Sequence, residues 1–399
     1  MKRVVMVSAK RTPFGRFRGG LAAYSPVDMA VAAGDAAIGT IDRSLVDQVI
    51  LGTVLAAGQG MNVARQVGVK LNLPLSVPAW SLNMMCGSGL QAALTAVSAI
   101  RAGEARLILA GGSESMSQAP LLVPRPPRGQ APDATSAVDS MMRDGLVDTF
   151  SQRLMGVQTE ELAQAFSIGR AEQDLMALRS QHLYAKAKEG RFFDDFVVPM
   201  GTLEADEHPR PETTWEALAS LKPAFDAAGT VTAGNSSGVN DGAAMILLAE
   251  RDFAKANGWP ILAEWVEGIV VGCDPARMGL GPVHAIRSLF ERLKIGWNDI
   301  DALEINEAFA AQTLACLKEL ELTLDGSSDL SQATAPGGRK MAFNAEGGAI
   351  ALGHPIGASG ARLLGQLAWK IARGASQSAI ASLCIGGGMG IAALLRGPD

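Results

Sequence analysis

Aromatic residues are scarce in this chain, at 5% of 399 positions, and only two of them are tyrosine. A core filled mainly by Ala, Gly, Val and Leu suggests helices and sheets packed at close approach in an α/β protein. Cysteine is also rare. The four cysteines, Cys86, Cys273, Cys316 and Cys384, show no CxxC spacing and have no paired histidines beside them. That argues against a metal centre or a disulfide framework and for a reducing compartment. Basic blocks are missing and the net charge is -5, so nucleic acid is not expected as the main partner. No apolar stretch is long and uninterrupted enough to cross a membrane. The first residues, Met1-Lys2-Arg3-Val4-Val5-Met6-Val7, enter a strand-like run with no leader pattern. The last four, Arg396-Gly397-Pro398-Asp399, are no peroxisomal address, so the expected location is the cytoplasm.

What the chain does have is glycine, 45 residues of it, and a hydrophobic content of 48%. The length exceeds what one core usually serves, so two or more packed units are expected. Buried strands are predicted at 4–7, 48–54 and 107–110. A helix is predicted over Pro26–Ile38, with Ser25 as N-cap and Pro26 at the first helical position. Asn83-Met84-Met85-Cys86-Gly87-Ser88-Gly89 reads as a cysteine on a tight turn before a helix. That helix, to Ile100, is apolar on nearly all sides and should be buried. A cysteine at such a helix N-terminus is expected to have a lowered thiol pKa. Taken alone, Cys86 reads equally well as a small core residue.

From about residue 116 to 238 the character changes to a proline-rich loop stretch and polar helical segments such as 171–189. A strand at 241–249 then returns to the first unit. The C-terminal part repeats the order of the first. Strands are predicted at 269–271, 300–305 and 379–383, and helices at 282–293, 307–319 and 361–371. Cys-Gly-Ser-Gly precedes the first buried helix and Gly357-Ala358-Ser359-Gly360 the second. Each helix is followed by Arg and Gly, an apolar strand and a glycine cluster. Two copies of one βαβ-rich unit related by a pseudo-two-fold axis follow from this pattern. The segment 324–343, with Gly326, Ser327, Ser328, Gly337 and Gly338, reads as a surface loop.

Cys86, Asn306, His354 and Cys384 each follow a strand or sit in a glycine-rich turn, where α/β enzymes place reacting groups. The chain resembles the thiolases over nearly its whole length. The matching stretches are Asn83 to Gly89, Thr232-Ala233-Gly234-Asn235-Ser236-Ser237-Gly238, Asn306-Glu307-Ala308-Phe309, Gly347 to Gly357, and Cys384-Ile385-Gly386-Gly387-Gly388-Met389-Gly390. The resemblance implies a five-layered α-β-α-β-α core with a loop lobe covering coenzyme A. It implies an N-terminal half of 1–116 and 239–267, a lobe of 117–238 and a C-terminal half of 268–399. It also implies a homotetramer or homodimer, acyl-CoA substrates, and no tightly bound cofactor or metal.

By the same resemblance, Cys86 is the nucleophile that accepts the acyl group, His354 its base and Cys384 the second acid/base. Asn306, through a held water, and His354 Nε2 form one oxyanion hole. The backbone N–H groups of Cys86 and Gly386 form the other. Ala233, Ser237 and Val239 match the pantetheine-contacting loop, and Arg210 falls near the adenine. Met155, Met278 and Phe309 match residues lining a small acyl pocket, which makes acetoacetyl-CoA the first-choice substrate. Leu154 stands where short-chain biosynthetic members often carry a histidine. A broader 3-ketoacyl-CoA thiolase is therefore the close alternative. A ketoacyl synthase-like enzyme and a non-catalytic CoA-binding scaffold are the remaining ones. Cys273, Cys316, His182, His208 and His284 are expected to be structural or surface residues.

Overall fold

The computed structural model of the chain describes residues 2–324 and 330–398. The first half runs β1 (Val4–Arg11), α1 (Pro26–Ile38), β2 (Gln48–Gly52), α2 (Val63–Lys70), β3 (Ala79–Leu82), α3 (Ser88–Ala102) and β4 (Leu107–Ser115). Residues 116–239 then leave this unit, carrying α4 (Met155–Ala165) and α5 (Arg170–Glu189), before β5 (Asn240–Glu250) returns. The second half begins with β6 (Ala263–Gly272), α6 (Gly281–Leu293), β7 (Ala302–Ile305) and α7 (Ala310–Glu319). It continues with β8 (Lys340–Phe343), α8 (Ala349–Leu352), α9 (Ser359–Ala372), β9 (Ser378–Ile385) and β10 (Met389–Arg396).

Local chemistry explains where the helices begin and end. Ser25 Oγ accepts from the Asp28 N–H at 3.2 Å, and Asp28 returns the bond to the Ser25 N–H, closing a capping box at α1. α3 stops at Gly103, whose φ of 82° lies in the left-handed region that glycine enters without penalty.

The halves repeat one strand order. The first is β3-β2-β4-β5-β1 and the second β8-β7-β9-β10-β6. In each, the first three strands are parallel and the last two antiparallel. β1 and β6 pair antiparallel, Val4 with Trp265 and Met6 with Ala263, and join the halves into one hydrogen-bonded sheet. Side chains alternate across it. Ile50 and Ile108 face inward with Ala381 and Leu383 onto α3 and α9. Val49, Leu51 and Leu109 face outward onto α1 and α2. Ile305 and Ile380 face outward onto α6 and α7. The result is five layers, helices–sheet–helices–sheet–helices, with α3 and α9 in the middle. Both sheets cover these inner helices, which is why α3 is apolar on all but a narrow strip that carries Gln91, Thr95 and Ser98.

The middle layer depends on glycine. A Cβ on Gly89 would lie 2.8 Å from the Ala361 nitrogen and from the Gly357 oxygen. A Cβ on Gly360 would collide with the backbone nitrogen of Leu90. The N-termini of α3 and α9 therefore touch backbone to backbone, and residues far apart in sequence meet there.

The excursion is fastened to the core by buried polar contacts. Arg11 donates to both Asp206 oxygens, at 2.5 and 2.8 Å, with both side chains buried. Ser180 of α5 donates to Glu307 at 2.6 Å and accepts from the Gly348 N–H at 3.0 Å.

Two expectations are corrected here. Within 324–343, residues 332–334 pair antiparallel with β8 and with the short strand Thr323–Leu324, extending the second sheet. Ala333, Met341 and Phe343 are buried, so this part is sheet and not a surface loop. Gly337 and Gly338, both at φ 85°, make its turn, and Gly326, Ser327 and Ser328 lie outside the described residues. The helix predicted over 307–319 begins at Ala310 with Phe309 as N-cap, so Asn306 caps nothing and is available for other work.

Candidate active site

Cys86 sits in the turn between β3 and α3. The turn is held by its own side chains. Asn83 Oδ1 accepts from the Met85 N–H at 2.9 Å, and Met85 takes a φ of 47°. Ser88 Oγ accepts from the Met84 N–H at 2.8 Å and donates to the Met85 oxygen at 2.7 Å. Gly87 is required because a Cβ there would lie 2.5 Å from Ile385 Cδ1. The thiol is buried, and the backbone N–H groups of Cys86 and Gly386 lie near enough to favour its ionised form. Those donors come from opposite halves of the molecule.

Burial pushes the Cys86 thiol up to about 11, against the lowering effect of both N–H groups, and buried Glu114 adds to the rise. This overturns the expectation of a lowered pKa. A helix terminus contributes up to about 2 kcal/mol, or roughly 1.5 pKa units, whereas full burial moves a group by as much as about 3–5 units. Burial wins while no substrate lies in the site. Cys384, at the end of β9, is likewise raised by burial and secondarily by Cys86.

His354 follows α8 through Gly353, whose φ is 100° and whose Cβ would overlap the Asn240 side chain. Asn240 Oδ1 accepts from the His354 N–H at 2.9 Å. The proton positions follow from what each group is able to donate. Arg362 only donates, and its Nη2 lies 3.2 Å from Asn306 Oδ1. The Asn306 Nδ2 therefore faces His354 Nε2, at 3.5 Å, and Nε2 must be the acceptor. His354 Nδ1 then donates to Ser359 Oγ at 2.6 Å, and Ser359 donates to the Pro355 oxygen at 3.0 Å. Burial, with Arg362 secondary, lowers the imidazole pKa to about 3, so His354 is neutral with its Nε2 lone pair available. A neutral base of that form suits nucleophilic acyl chemistry, and Ile356, two residues on, packs in the same small cluster as the buried Cys86.

Glu114 ties the two halves together beneath the thiol. It accepts from the Val54, Leu55 and Gly357 N–H groups at 3.0, 3.0 and 2.9 Å. Burial outweighs these bonds and raises its carboxyl to about 7. Glu114, Ser359, Asn240 and Arg362 were not singled out from sequence. A charged residue inside an otherwise buried strand or helix is the signal that marks Glu114 and Arg362.

The expected ligand residues divide. Arg210 and Ala233 line a cavity of about 200 Å³ between the excursion and the core, together with Gln181 and Ile350. His208, expected to be structural, lines the same cavity, and burial followed by Arg210 lowers its pKa. Ser237 donates from Oγ and N–H to the Ala308 oxygen, at 2.9 and 3.0 Å. Val239 packs against the small cluster that contains Cys86, Met116, Met141 and Ile356. Met155 reaches the Gly386 turn, where a Cβ would lie 2.5 Å from its Cε. Phe309 stacks edge-on with Phe225 at 6.0 Å. Leu154 is the N-cap of α4, and Met278 is buried in the turn Pro275–Leu280. Cys316 is structural, donating to the Gly279 oxygen at 3.1 Å, while His182 and His284 are exposed. Cys273 is half-buried, and its N–H donates to the Gly388 oxygen at 2.8 Å.

The family model described as thiolase, N-terminal domain, matches residues 4–252, and that for the thiolase C-terminal domain matches residues 259–397. An acetyl-CoA acetyltransferase of Pseudomonas aeruginosa is 44% identical, covering 99% of each chain. The mitochondrial 3-ketoacyl-CoA thiolase of Bos taurus is 38% identical over 99% of this chain and 98% of its own. The crystal structure of human mitochondrial 3-ketoacyl-CoA thiolase in complex with CoA superposes with a TM-score of 0.91 at 38% identity, covering 100% of this chain and 98% of that one.

Proposed function

The chain belongs to the thiolase family of acyltransferases, and from that premise we propose its particular reaction and the residues that carry it. The reaction is acetoacetyl-CoA plus CoA to two acetyl-CoA, and its reverse. The observation that supports this reading best is the buried Cys86 thiol, whose ionised form the N–H groups of Cys86 and Gly386 favour, together with a neutral His354 whose Nε2 accepts from Asn306.

In the cleavage direction, His354 takes the Cys86 proton and the sulfur attacks the keto carbon. The bond between that carbon and the methylene breaks, leaving acyl-Cys86 and the enolate of acetyl-CoA. Cys384 protonates the enolate carbon, and acetyl-CoA leaves. The Cys384 thiolate then takes the proton of an incoming CoA thiol, which attacks acyl-Cys86 and releases the second acyl-CoA, while the departing Cys86 thiolate takes its proton back from His354. The N–H groups of Cys86 and Gly386 hold the oxyanion of the acyl carbon. Asn306, through a held water, and His354 Nε2–H hold the enolate oxygen. Each such donor is worth about 3 kcal/mol in a transition state.

CoA lies along the excursion, with Arg210 near the adenine and Ala233, Ser237 and Val239 along the pantetheine. His208 shares the Arg210 cavity and joins this set. Met155, Met278, Phe309 and Leu154 bound the acyl end. A homotetramer or homodimer, a cytoplasmic location and no tightly bound cofactor complete the proposal. So does the division of the chain at 116, 239 and 267, with β6 shared at the last boundary. Among the described residues no helix is long and apolar enough to cross a membrane.

The test compares kcat/KM for thiolysis of acetoacetyl-CoA with that of a longer straight-chain 3-ketoacyl-CoA. Strong preference for acetoacetyl-CoA is expected. Equal or better use of the longer substrate would make this a broad 3-ketoacyl-CoA thiolase. One observation favours that second reading: Phe150, beside Gly387, is 71% exposed, so little packs against that side of the turn after Gly386.

A further inference from the structure

Arg362 lies in α9, in the middle layer, and its side chain is wholly buried. It makes one hydrogen bond, from Nη2 to Asn306 Oδ1 at 3.2 Å. Among the described residues Nε and Nη1 have no hydrogen-bond partner, and the nearest carboxylate oxygen, Glu304 Oε2, is 3.9 Å away and has none either. Burying a charge costs several kcal/mol unless its pairing is excellent. Leu363, Leu364 and Leu367 of the same helix are fully buried, so the layer accepts apolar side chains without difficulty. A guanidinium this poorly satisfied is a poor choice for stability, and its single good contact shows what it does instead.

The two ends of an Asn amide have nearly the same shape and opposite polarity. Without a neighbour that distinguishes them, the Asn306 side chain is free to turn over. Turned over, it would present a carbonyl oxygen to the enolate oxygen and to the His354 Nε2 lone pair, replacing a donor by a repulsive acceptor. A guanidinium only donates, so it accepts just one of the two orientations. We propose that Arg362 is the positioning residue of Asn306, locking the amide so that Nδ2 is presented to the enolate side of the site beside His354 Nε2. The inference rests on the reading in which Asn306 serves carbon–carbon bond making and breaking. Under it, Arg362 matters for that step far more than for acyl transfer to Cys86, whose oxyanion lies on the N–H groups of Cys86 and Gly386.

The experiment measures two rates in wild type, Arg362→Gln, Asn306→Ala and the double variant. One is acetylation of Cys86 by acetyl-CoA, read as a mass shift after rapid quenching. The other is kcat for condensation and thiolysis. For Arg362→Gln, kcat is expected to fall about tenfold to a hundredfold with little change in KM, while acetylation stays within about threefold. Added to Asn306→Ala, the same change should cost less than about twofold, because the partner it positions is already gone. Arg362→Lys, which keeps one donor, should recover part of the loss. Should Arg362→Gln not fold, Arg362→Lys takes its place in the same cycle, with a smaller loss and the same failure to multiply. Unchanged kcat, equal losses in both rates, or losses that multiply on Asn306→Ala would overturn the proposal. A fully active Asn306→Ala would sink the reading of Asn306 instead, whatever Arg362 does.

Discussion

The two halves run their strands in the same spatial order, yet they join the third and fourth positions in opposite ways. From β4 to β5 the chain leaves for residues 116–239, two long helices and the walls of a cavity. From β9 to β10 it turns within Gly386-Gly387-Gly388, with φ of 87° and 85° at the last two. The short connection places one N–H against Cys86. The long one carries the residues of the cavity that the proposed function assigns to CoA. One scaffold, used twice, thus has a tight connection at the proposed nucleophile and a long one at the proposed binding surface.

The largest effect that sharpens this contrast is at the nucleophile. Cys86→Ala is expected to lower turnover on the order of 10⁴-fold or more while CoA still binds, checked by kcat and by calorimetric titration with CoA. Full turnover in that variant would place the nucleophile elsewhere. Next come the connections themselves. Gly388→Ala forces a side chain into a left-handed φ and puts Cβ 2.5 Å from the Cys273 oxygen. It should cost about 2–4 kcal/mol in denaturant unfolding. Gly129 also has positive φ, but nothing lies within 4 Å of its Cβ position. An alanine inserted after it should change stability by no more than about 0.5 kcal/mol. Equal tolerance at both sites would break the comparison.

The third prediction concerns the thiol. Because its pKa is raised to about 11, the thiolate fraction of substrate-free Cys86 grows about tenfold per pH unit below that value. Alkylation by iodoacetamide, followed by mass spectrometry, should therefore climb steadily from pH 6 to 9 and be blocked by acetyl-CoA. A plateau below pH 8 would mean that the helix terminus outweighs burial. The smallest effects separate the two serines. Ser359→Ala removes the Nδ1 partner of His354 and should lower kcat about tenfold, worth roughly 1–1.5 kcal/mol. Ser88→Ala loosens only the Cys86 turn and should appear mainly in the melting temperature.

The duplication was legible because its two signals are local. Cys-Gly-Ser-Gly and Gly-Ala-Ser-Gly each precede an apolar helix, and the backbone contact of Gly89 and Gly360 is what those glycines permit. Cys86, Asn306, His354 and Cys384 stood out for the same reason, as reactive residues in turns. What was not legible is tertiary. The thiol pKa depends on how many atoms surround Cys86, which spacing does not encode. The roles of Arg362 and Glu114 depend on contacts across 56 and 243 residues of chain. The strands at 332–334 and Lys340–Phe343 are short and flanked by glycine, so they lack enough alternation to read as sheet.

The pairing of β1 has a consequence for how the chain is made. Val4 pairs with Glu250 on one side and with Trp265 on the other. β1 is made before either neighbour and therefore waits until Trp265 has been added. At roughly 5–20 residues per second that is on the order of 10–50 s with an apolar strand unpaired on both edges. Such non-local pairing slows folding and exposes the nascent chain to aggregation. Val5→Lys, buried between those late partners, should accordingly lower soluble yield more than it lowers the rate of whatever protein does fold.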